Sequence, residues 1–253
     1  MDPTLVLLGV GAFLAGMVDA VVGGGGLIQI PLLFSAFPQA APATLFGTNK
    51  LASVFGTAGA AVQYGRRVSI PWSAAGPAAL AAAIGSWSGA RAVVLFPPAA
   101  LRPLILVLLV LVALYTFLRK DFGIHHRRLA SAGRECGLAI LIGVALGFYD
   151  GFFGPGTGSF LIFLFIRILG MDFLHASVSA KIVNVSTNLA AIAVFVSHGA
   201  VFWQVALVMA CCNLLGSRVG TGLALRHGAV FIRKAFLAVV LVLILRFAAD
   251  TFL

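Results

Sequence analysis

The segment Asp19–Pro31 reads DAVVGGGGLIQIP, and its pattern occurs a second time at Asp150–Ile162 as DGFFGPGTGSFLI. In both copies an Asp lies at the end of an apolar run, a glycine-rich break begins four residues later, and a short apolar segment follows. The offset is 150 − 19 = 131, and it also relates Gly23 to Gly154, Lys50 to Lys181, Gly85-Ser86 to Gly216-Ser217, Gly89 to Gly220 and Arg102 to Arg233. One offset that recurs along the chain indicates a duplicated unit built around a glycine break.

The composition predicts an integral membrane protein. The 253 residues are 61% hydrophobic and 9% charged, and the mean hydropathy is +1.10. Soluble domains carry roughly a quarter charged residues, whereas apolar runs of about 20 residues, as here, suit helices that cross a bilayer. The net charge of +10 comes mostly from basic loops, which favours contact with lipid headgroups and not nucleic-acid binding. The first apolar run lacks a basic flank, so we expect it to be retained and not cleaved as a signal peptide.

The predicted fold is an all-α polytopic membrane protein with two inverted repeats of about five membrane segments each, that is, eight full spans plus two short broken helices. Residues 1–118 form repeat 1, 119–134 a cytoplasmic linker and 135–253 repeat 2. The segments of repeat 1 are Thr4–Val22, the short Leu27–Phe37, Ala43–Tyr64, Trp72–Leu95 and Leu101–Leu118. Those of repeat 2 are Cys136–Phe153, the short Ser159–Leu169, Leu174–Val196, Phe202–Leu225 and Ala235–Phe252.

Loop charge predicts that the two repeats insert in opposite directions. The loop after the third segment carries Arg66 and Arg67 in repeat 1, but its counterpart Ser197–Ala200 has no Lys or Arg. The next loop reverses the bias, since Arg226–Lys234 is basic and Phe96–Ala100 is not. Positive loops face the cytoplasm, so each repeat must cross an odd number of times, which holds if the short segment counts as the fifth crossing. The alternative is a re-entrant short segment with four spans per repeat and parallel copies, against which loop charge argues.

The two glycine breaks are candidate anion-binding sites. A helix that starts inside the membrane presents unpaired N–H groups and a partial positive charge, and glycine lets an anion approach the backbone. Gly24, Gly25 and Gly26, together with Gly156, Thr157 and Gly158, are therefore predicted to bind substrate. The alternative is that these glycines only permit close helix crossing.

Lys50 and Lys181 are the second candidate feature. Each lies about 10 Å into its predicted span, where a lysine is costly unless it is paired or hydrated. We expect them to bind an anion with the neighbouring polar residues Asn49, Ser53, Asn184 and Asn188. Asp19 and Asp150 could titrate and couple transport to protons. Alternatively, they only neutralise the lysines in structural salt bridges.

The remaining reactive residues give weaker signals. No metal-ligand spacing, nucleophile–base triad or phosphate loop occurs, so neither a cofactor nor enzymatic activity is expected. Cys211-Cys212 could relay sulfur, although buried cysteines are usually small hydrophobic residues.

The motifs DAVVGGGGLIQIP, GTNKLAS, GFYDGFFGPGTGSF and SAKIVNVSTN resemble signatures of the TauE/SafE sulfite exporter family, also called TSUP transporters, and are most similar to its YfcA-like branch. The resemblance runs from about Leu5 to Arg246. It implies a multi-pass transporter of the bacterial inner membrane, built by duplication, that exports sulfite, sulfonates or other sulfur-containing anions.

The predicted function is thus a secondary transporter with one anion site between the two repeats, coupled to protons and working by alternating access. Replacing Lys50 or Lys181 by Ala should reduce transport. A passive anion channel and a sulfur relay through Cys211 and Cys212 are the alternatives.

Overall fold

A computed structural model of the chain describes residues 2–118 and 132–227, and all regular structure within them is helical. The helices are α1 Pro3–Val22, α2 Gly26–Ala36, α3 Pro42–Gly65, α4 Trp72–Leu95, α5 Pro98–Leu118, α6 Ala132–Phe152, α7 Thr157–Leu169, α8 Phe173–Ser197 and α9 Trp203–His227. Each matches one of the first nine predicted segments to within a few residues. The predicted last span, Ala235–Phe252, and most of the predicted linker lie outside the described residues.

Five of these helices are long and apolar enough to cross a membrane: α1, α4, α6, α8 and α9. Large apolar side chains lie exposed on their outer faces, among them Leu80 and Ile84 on α4 and Leu141 and Val144 on α6. Exposed apolar rows of this kind suit a lipid environment, where the surrounding solvent is itself apolar. The protein is therefore a multi-pass membrane protein.

The two glycine breaks end one helix and start another, as the sequence predicted. α1 ends where Gly23 adopts φ 77°, a left-handed conformation that glycine adopts without steric cost. The second break is shorter than expected, because α7 already begins at Thr157, so that Thr157 and Gly158 belong to its first turn. Two basic segments predicted as loops also extend helices, since Arg134 lies in α6 and Arg226 in α9.

The short helix α2 runs back alongside α1. A Cβ placed on Gly25 would meet Ala15, and one on Gly11 would lie 2.1 Å from Leu32 Cδ1. At the open end, a groove of about 660 Å³ is lined by Pro3, Thr4 and Leu7 of α1 and by Leu32, Ser35 and Ala36 of α2. The two helices thus form an antiparallel hairpin with the glycine break at its tip. α2 has 11 residues, spans only about 16 Å and ends beside the start of α1; its counting as a fifth crossing of repeat 1 stays a prediction.

The second hairpin, α6–α7, is arranged similarly. α6 runs parallel to α4, because a Cβ on Gly143 would meet Ala78 and one on Gly151 would meet Ser86. α7 returns to the end of the bundle where α4 and α6 begin. α8 follows α7 directly, and at the start of α8 the Nε2 atom of His175 lies 3.3 Å from Oγ of Ser69, which comes just before α4. The short helix of the second unit therefore also ends at the face where its hairpin begins.

Glycines bring helices of the two predicted repeats into close contact. A Cβ on Gly216 of α9 would lie 1.9 Å from the Phe13 carbonyl oxygen of α1, and one on Gly85 of α4 would lie 2.5 Å from that of Val144 in α6. These contacts differ by the same offset, since 85 + 131 = 216 and 13 + 131 = 144. The first helix of each unit therefore packs on the fourth helix of the other unit.

Contacts at the helix ends define two faces of the bundle. At one face, Ser69 meets His175, and Gln63 near the end of α3 donates to the carbonyl of Arg218 in α9. At the other face, the rings of Phe37 and Phe202 lie 5.1 Å apart and the Phe202 N–H donates to Thr48 Oγ1. The first face carries the basic residues Arg66, Arg67 and Arg226.

The close helix contacts lead to a stability prediction. Gly147→Ala should lower the melting temperature of the purified protein strongly, because the new Cβ would lie 2.3 Å from the Ala82 carbonyl oxygen and force α4 and α6 apart. Gly137→Ala on the same helix is the matched control, since a Cβ placed there would have no atom of another described segment within 4 Å. Equal melting temperatures for the two variants would contradict the packing described here.

Candidate functional site

A small polar cavity lies between the two helix breaks. Its lining residues are Asp19, Gly23, Gly26, Asn49, Lys50, Ser53, Thr57, Asp150, Gly154, Gly156, Thr157, Gly158, Asn184 and Asn188. They come from both breaks and from the facing sides of α3 and α8. The space within it amounts to about 360 Å³, including the part open to solvent.

Two ion pairs cross between the predicted repeats at this cavity, and of their four residues only Asp19 is partly exposed. Lys50 of α3 lies 2.6 Å from Asp150 Oδ2 of α6, and Lys181 of α8 lies 3.0 Å from Asp19 Oδ2 of α1. The pairs are related by the repeat offset, since 50 + 131 = 181 and 19 + 131 = 150. The structural salt bridge considered from sequence is therefore present, and its partners lie on different units. Two lysines and two aspartates make the site formally neutral.

Asp19 receives further hydrogen bonds. Its Oδ1 accepts the Gly25 N–H at the start of α2, and its Oδ2 accepts the Thr57 hydroxyl, each at 3.4 Å. An aspartate at a helix N-terminus offsets the partial positive charge of the free N–H groups. The start of α2, expected from sequence to attract an anion, is thus already close to a carboxylate of the protein.

The start of α7 meets the end of α1. The Ser159 N–H donates to the Gly23 carbonyl oxygen at 3.2 Å, and the Ser159 hydroxyl donates to the carbonyl of Val22. Gly23 also lies so close to α7 that a Cβ on it would be 2.4 Å from the carbonyl carbon of Gly158. Glycine is required at both positions for this approach. The glycines therefore serve close packing here, as the alternative from sequence proposed, and they also expose backbone to the cavity.

Neutral polar side chains on α3 and α8 face each other across the cavity. Ser53 and Thr57 lie three and seven residues after Lys50, and Asn184 and Asn188 stand at the same spacing after Lys181. Residues at these spacings share one face of a helix. Thr57 was not predicted from sequence, although 188 − 131 = 57 makes it the counterpart of Asn188.

Three buried amide atoms around the cavity have no hydrogen-bond partner among the described residues: Gln29 Nε2, Asn49 Oδ1 and Asn184 Oδ1. Gln29 Oε1, in contrast, accepts the Ser53 hydroxyl at 2.9 Å. Buried polar groups normally have partners, so unpaired amides beside a cavity indicate a place for a hydrogen-bonding ligand or for water.

The structure brings together most of the residues predicted from sequence. Of the predicted binding and coupling residues, all except Gly24, Gly25 and Lys181 line the cavity. Gly23, Thr57 and Gly154 line it without having been predicted. The glycines Gly23 and Gly154 could have been found as the equivalent first residues of the two breaks.

The cysteines lie elsewhere. Cys211 is exposed on α9 and Cys212 is half-buried against Gly9 of α1, and neither lines the cavity. A sulfur relay through Cys211 and Cys212 would therefore act away from the cavity.

Comparison with known proteins agrees with this arrangement. The chain matches the family described as Sulfite exporter TauE/SafE over residues 8–247. It is 37% identical over 249 residues to the probable membrane transporter protein ORF9 of a Sinorhizobium species, covering 97% of this chain and 93% of the relative. It is 34% identical to the probable membrane transporter protein YfcA of Escherichia coli K12 (90% and 83% covered), and 33% identical to a probable membrane transporter protein of Haemophilus influenzae (92% and 89% covered).

No solved structure matches the chain. The family match covers nearly all of the sequence, both glycine breaks and all four charged residues of the crossed ion pairs. The chain therefore belongs to the TauE/SafE sulfite exporter family.

Proposed function

We propose that the protein is a proton-coupled secondary transporter of the bacterial inner membrane that exports sulfite, organosulfonates or related sulfur-containing anions. The observation that carries this proposal is the polar cavity at the two glycine breaks, which buried Lys50 lines and beside which buried amide atoms have no hydrogen-bond partner among the described residues. The Lys50 ammonium group and the unpaired Gln29 Nε2 are donors that suit the oxygens of such an anion, whereas the unpaired Asn49 Oδ1 and Asn184 Oδ1 are acceptors that suit a protonated group or water. The family name supports this substrate class, and the names of the relatives support membrane transport.

Charge balance is the reason for the proposed coupling to protons. Lys50 already has a carboxylate partner in Asp150, so an incoming anion must compete with that carboxylate. Breaking a buried pair by removing one partner costs about 3–5 kcal/mol. If the carboxylate takes up a proton as the anion binds, the ammonium gains a new negative partner and the site stays neutral. Anion and proton would then bind together. Asp19 and Asp150 are the candidates for this titration.

Alternating access in many secondary transporters relies on two inverted halves. Each half would contribute one hairpin, α1–α2 or α6–α7, that begins and ends at the same face, and three further crossing helices, the last of which in repeat 2 is the span Ala235–Phe252 predicted from sequence. Because each hairpin returns to its starting face and three is odd, the halves would insert in opposite directions, in keeping with the loop charges. The basic face with Arg66, Arg67 and Arg226 would be cytoplasmic. The cavity would lie between the halves, as in other transporters with inverted repeats and broken helices.

The first functional test replaces the cavity lysine. Lys50→Ala should reduce the initial rate of sulfite transport into liposomes by about tenfold or more, because a hydrogen bond to a charged group contributes about 1.5–3 kcal/mol and 1.4 kcal/mol corresponds to a factor of ten. Arg66→Ala is the control, since Arg66 is an exposed cation at the end of α3. A Lys50→Ala protein that is folded and transports at the wild-type rate would refute the proposed anion site.

The second functional test concerns the carboxylates. An imposed pH gradient should change the sulfite flux of the wild type, and at least one of the variants Asp150→Asn and Asp19→Asn should lose this response, because an amide does not titrate. Flux that saturates with sulfite concentration distinguishes a transporter from the passive channel. Non-saturating flux without a response to the pH gradient in the wild type would favour the channel.

A further inference from the structure

The two lysines of the crossed ion pairs are equivalent in sequence but lie in different surroundings. Lys50 lines the cavity, whereas Lys181 does not, and the Lys181 side chain is 0% exposed. A duplicated sequence gives no reason for this difference. It arises from the way each ammonium group contacts the helix break of the other unit.

Lys181 is held by the end of α1. Its Nζ donates both to the carboxylate and to the backbone carbonyl oxygen of Asp19. The same carbonyl accepts the N–H of Gly23, the residue that terminates α1. A cation that binds the last carbonyls of a helix stabilises that end, because the helix dipole is negative there. Lys181 therefore closes the C-terminus of α1 at the break.

The carboxylate of Asp19 is similarly occupied. Besides Lys181 it accepts the Thr57 hydroxyl and the Gly25 N–H, so that donors from α8, α3 and the start of α2 converge on it. Displacing Lys181 would disturb all of these contacts and leave the end of α1 without its cation. An anion that bound Lys181 would have to undo the hairpin tip.

Lys50 has a simpler environment. The described residues supply one partner for its ammonium group, Asp150 Oδ2 at 2.6 Å, and no backbone carbonyl. A lysine has three N–H donors, and this one faces the cavity beside Gly154, whose absent side chain leaves space: a Cβ there would lie 3.1 Å from Nζ. An anion in the cavity can reach this ammonium group without disturbing a helix end.

We infer that the two lysines have different roles: Lys50 binds the transported anion and exchanges it with Asp150, whereas Lys181 keeps Asp19 as a fixed partner and stabilises the first hairpin. This inference rests on the proposed function. It makes Lys181 a positioning residue and assigns the exchanging carboxylate to Asp150.

Two charge-neutral double variants test the assignment, because each removes a whole ion pair and leaves no buried charge alone. One is Lys50→Met with Asp150→Asn, and the other is Lys181→Met with Asp19→Asn. Melting temperatures of the purified proteins are measured in chloride and in sulfite at equal ionic strength. The first variant should melt near the wild type in chloride and lose the rise in melting temperature caused by sulfite. The second should melt several degrees lower in chloride and retain that rise.

A labelling experiment gives an answer that does not depend on the ligand. Lys50→Cys and Lys181→Cys are made in a background in which Cys136, Cys211 and Cys212 are replaced by Ser, and both are treated with a small water-soluble thiol reagent. Lys50→Cys should react at least tenfold faster, because its position lines the cavity. Equal rates, or faster reaction at Lys181→Cys, would overturn the assignment.

The outcomes separate the two proposals. A wild-type protein that is not stabilised by sulfite, thiosulfate or taurine would refute the proposed function and with it the binding role of Lys50. A wild type that is stabilised, together with a sulfite response kept by the Lys50 double variant or lost by the Lys181 double variant, would refute only the assignment of roles.

Discussion

A helix that breaks inside a bilayer must pair its backbone N–H and C=O groups within the protein, because hydrocarbon offers them no hydrogen-bond partner. In this protein two such breaks lie side by side and satisfy one another in part. Ser159 at the start of α7 donates to Gly23 at the end of α1, and Lys181 from α8 donates to the Asp19 carbonyl. The position of the cavity, and of every charged group beside it, follows from this meeting of the breaks.

The two breaks can contact each other because the surrounding helices pack so closely that their backbones are in contact. α1 lies against α9, and α4 against α6, through glycines such as Gly216 and Gly85 whose missing side chains let a carbonyl of the partner helix approach. In a membrane the hydrophobic effect does not drive helices together, so close packing between small residues contributes much of their association. Glycine therefore serves two purposes in this chain: it permits the breaks, and it holds the two units around them.

The crossed ion pairs give the site its chemistry. Each joins a lysine of one unit to an aspartate of the other, so that the charges balance only when the units are assembled. A buried neutral pair can exchange one partner for another at smaller cost than it can lose one. A transporter that exchanges carboxylate for substrate at Lys50 would use this property, and the pair at Lys181 would hold the frame in which the exchange occurs.

The sequence by itself determined the membrane class and the nine described helices to within a few residues, because apolar run length and glycine breaks are local signals. It also indicated the family, because short motifs carry that resemblance. It also identified most of the cavity lining, since a lysine buried in a span stands out whatever surrounds it. Only the tertiary structure decided that α2 and α7 turn back, because a short apolar run has the same composition whether it continues or returns. It alone decided that each lysine pairs with the aspartate of the other unit, that Thr57 lines the cavity and that Lys181 does not. Those outcomes depend on packing between residues more than a hundred positions apart, as between Asp19 and Lys181, and no local pattern specifies such contacts.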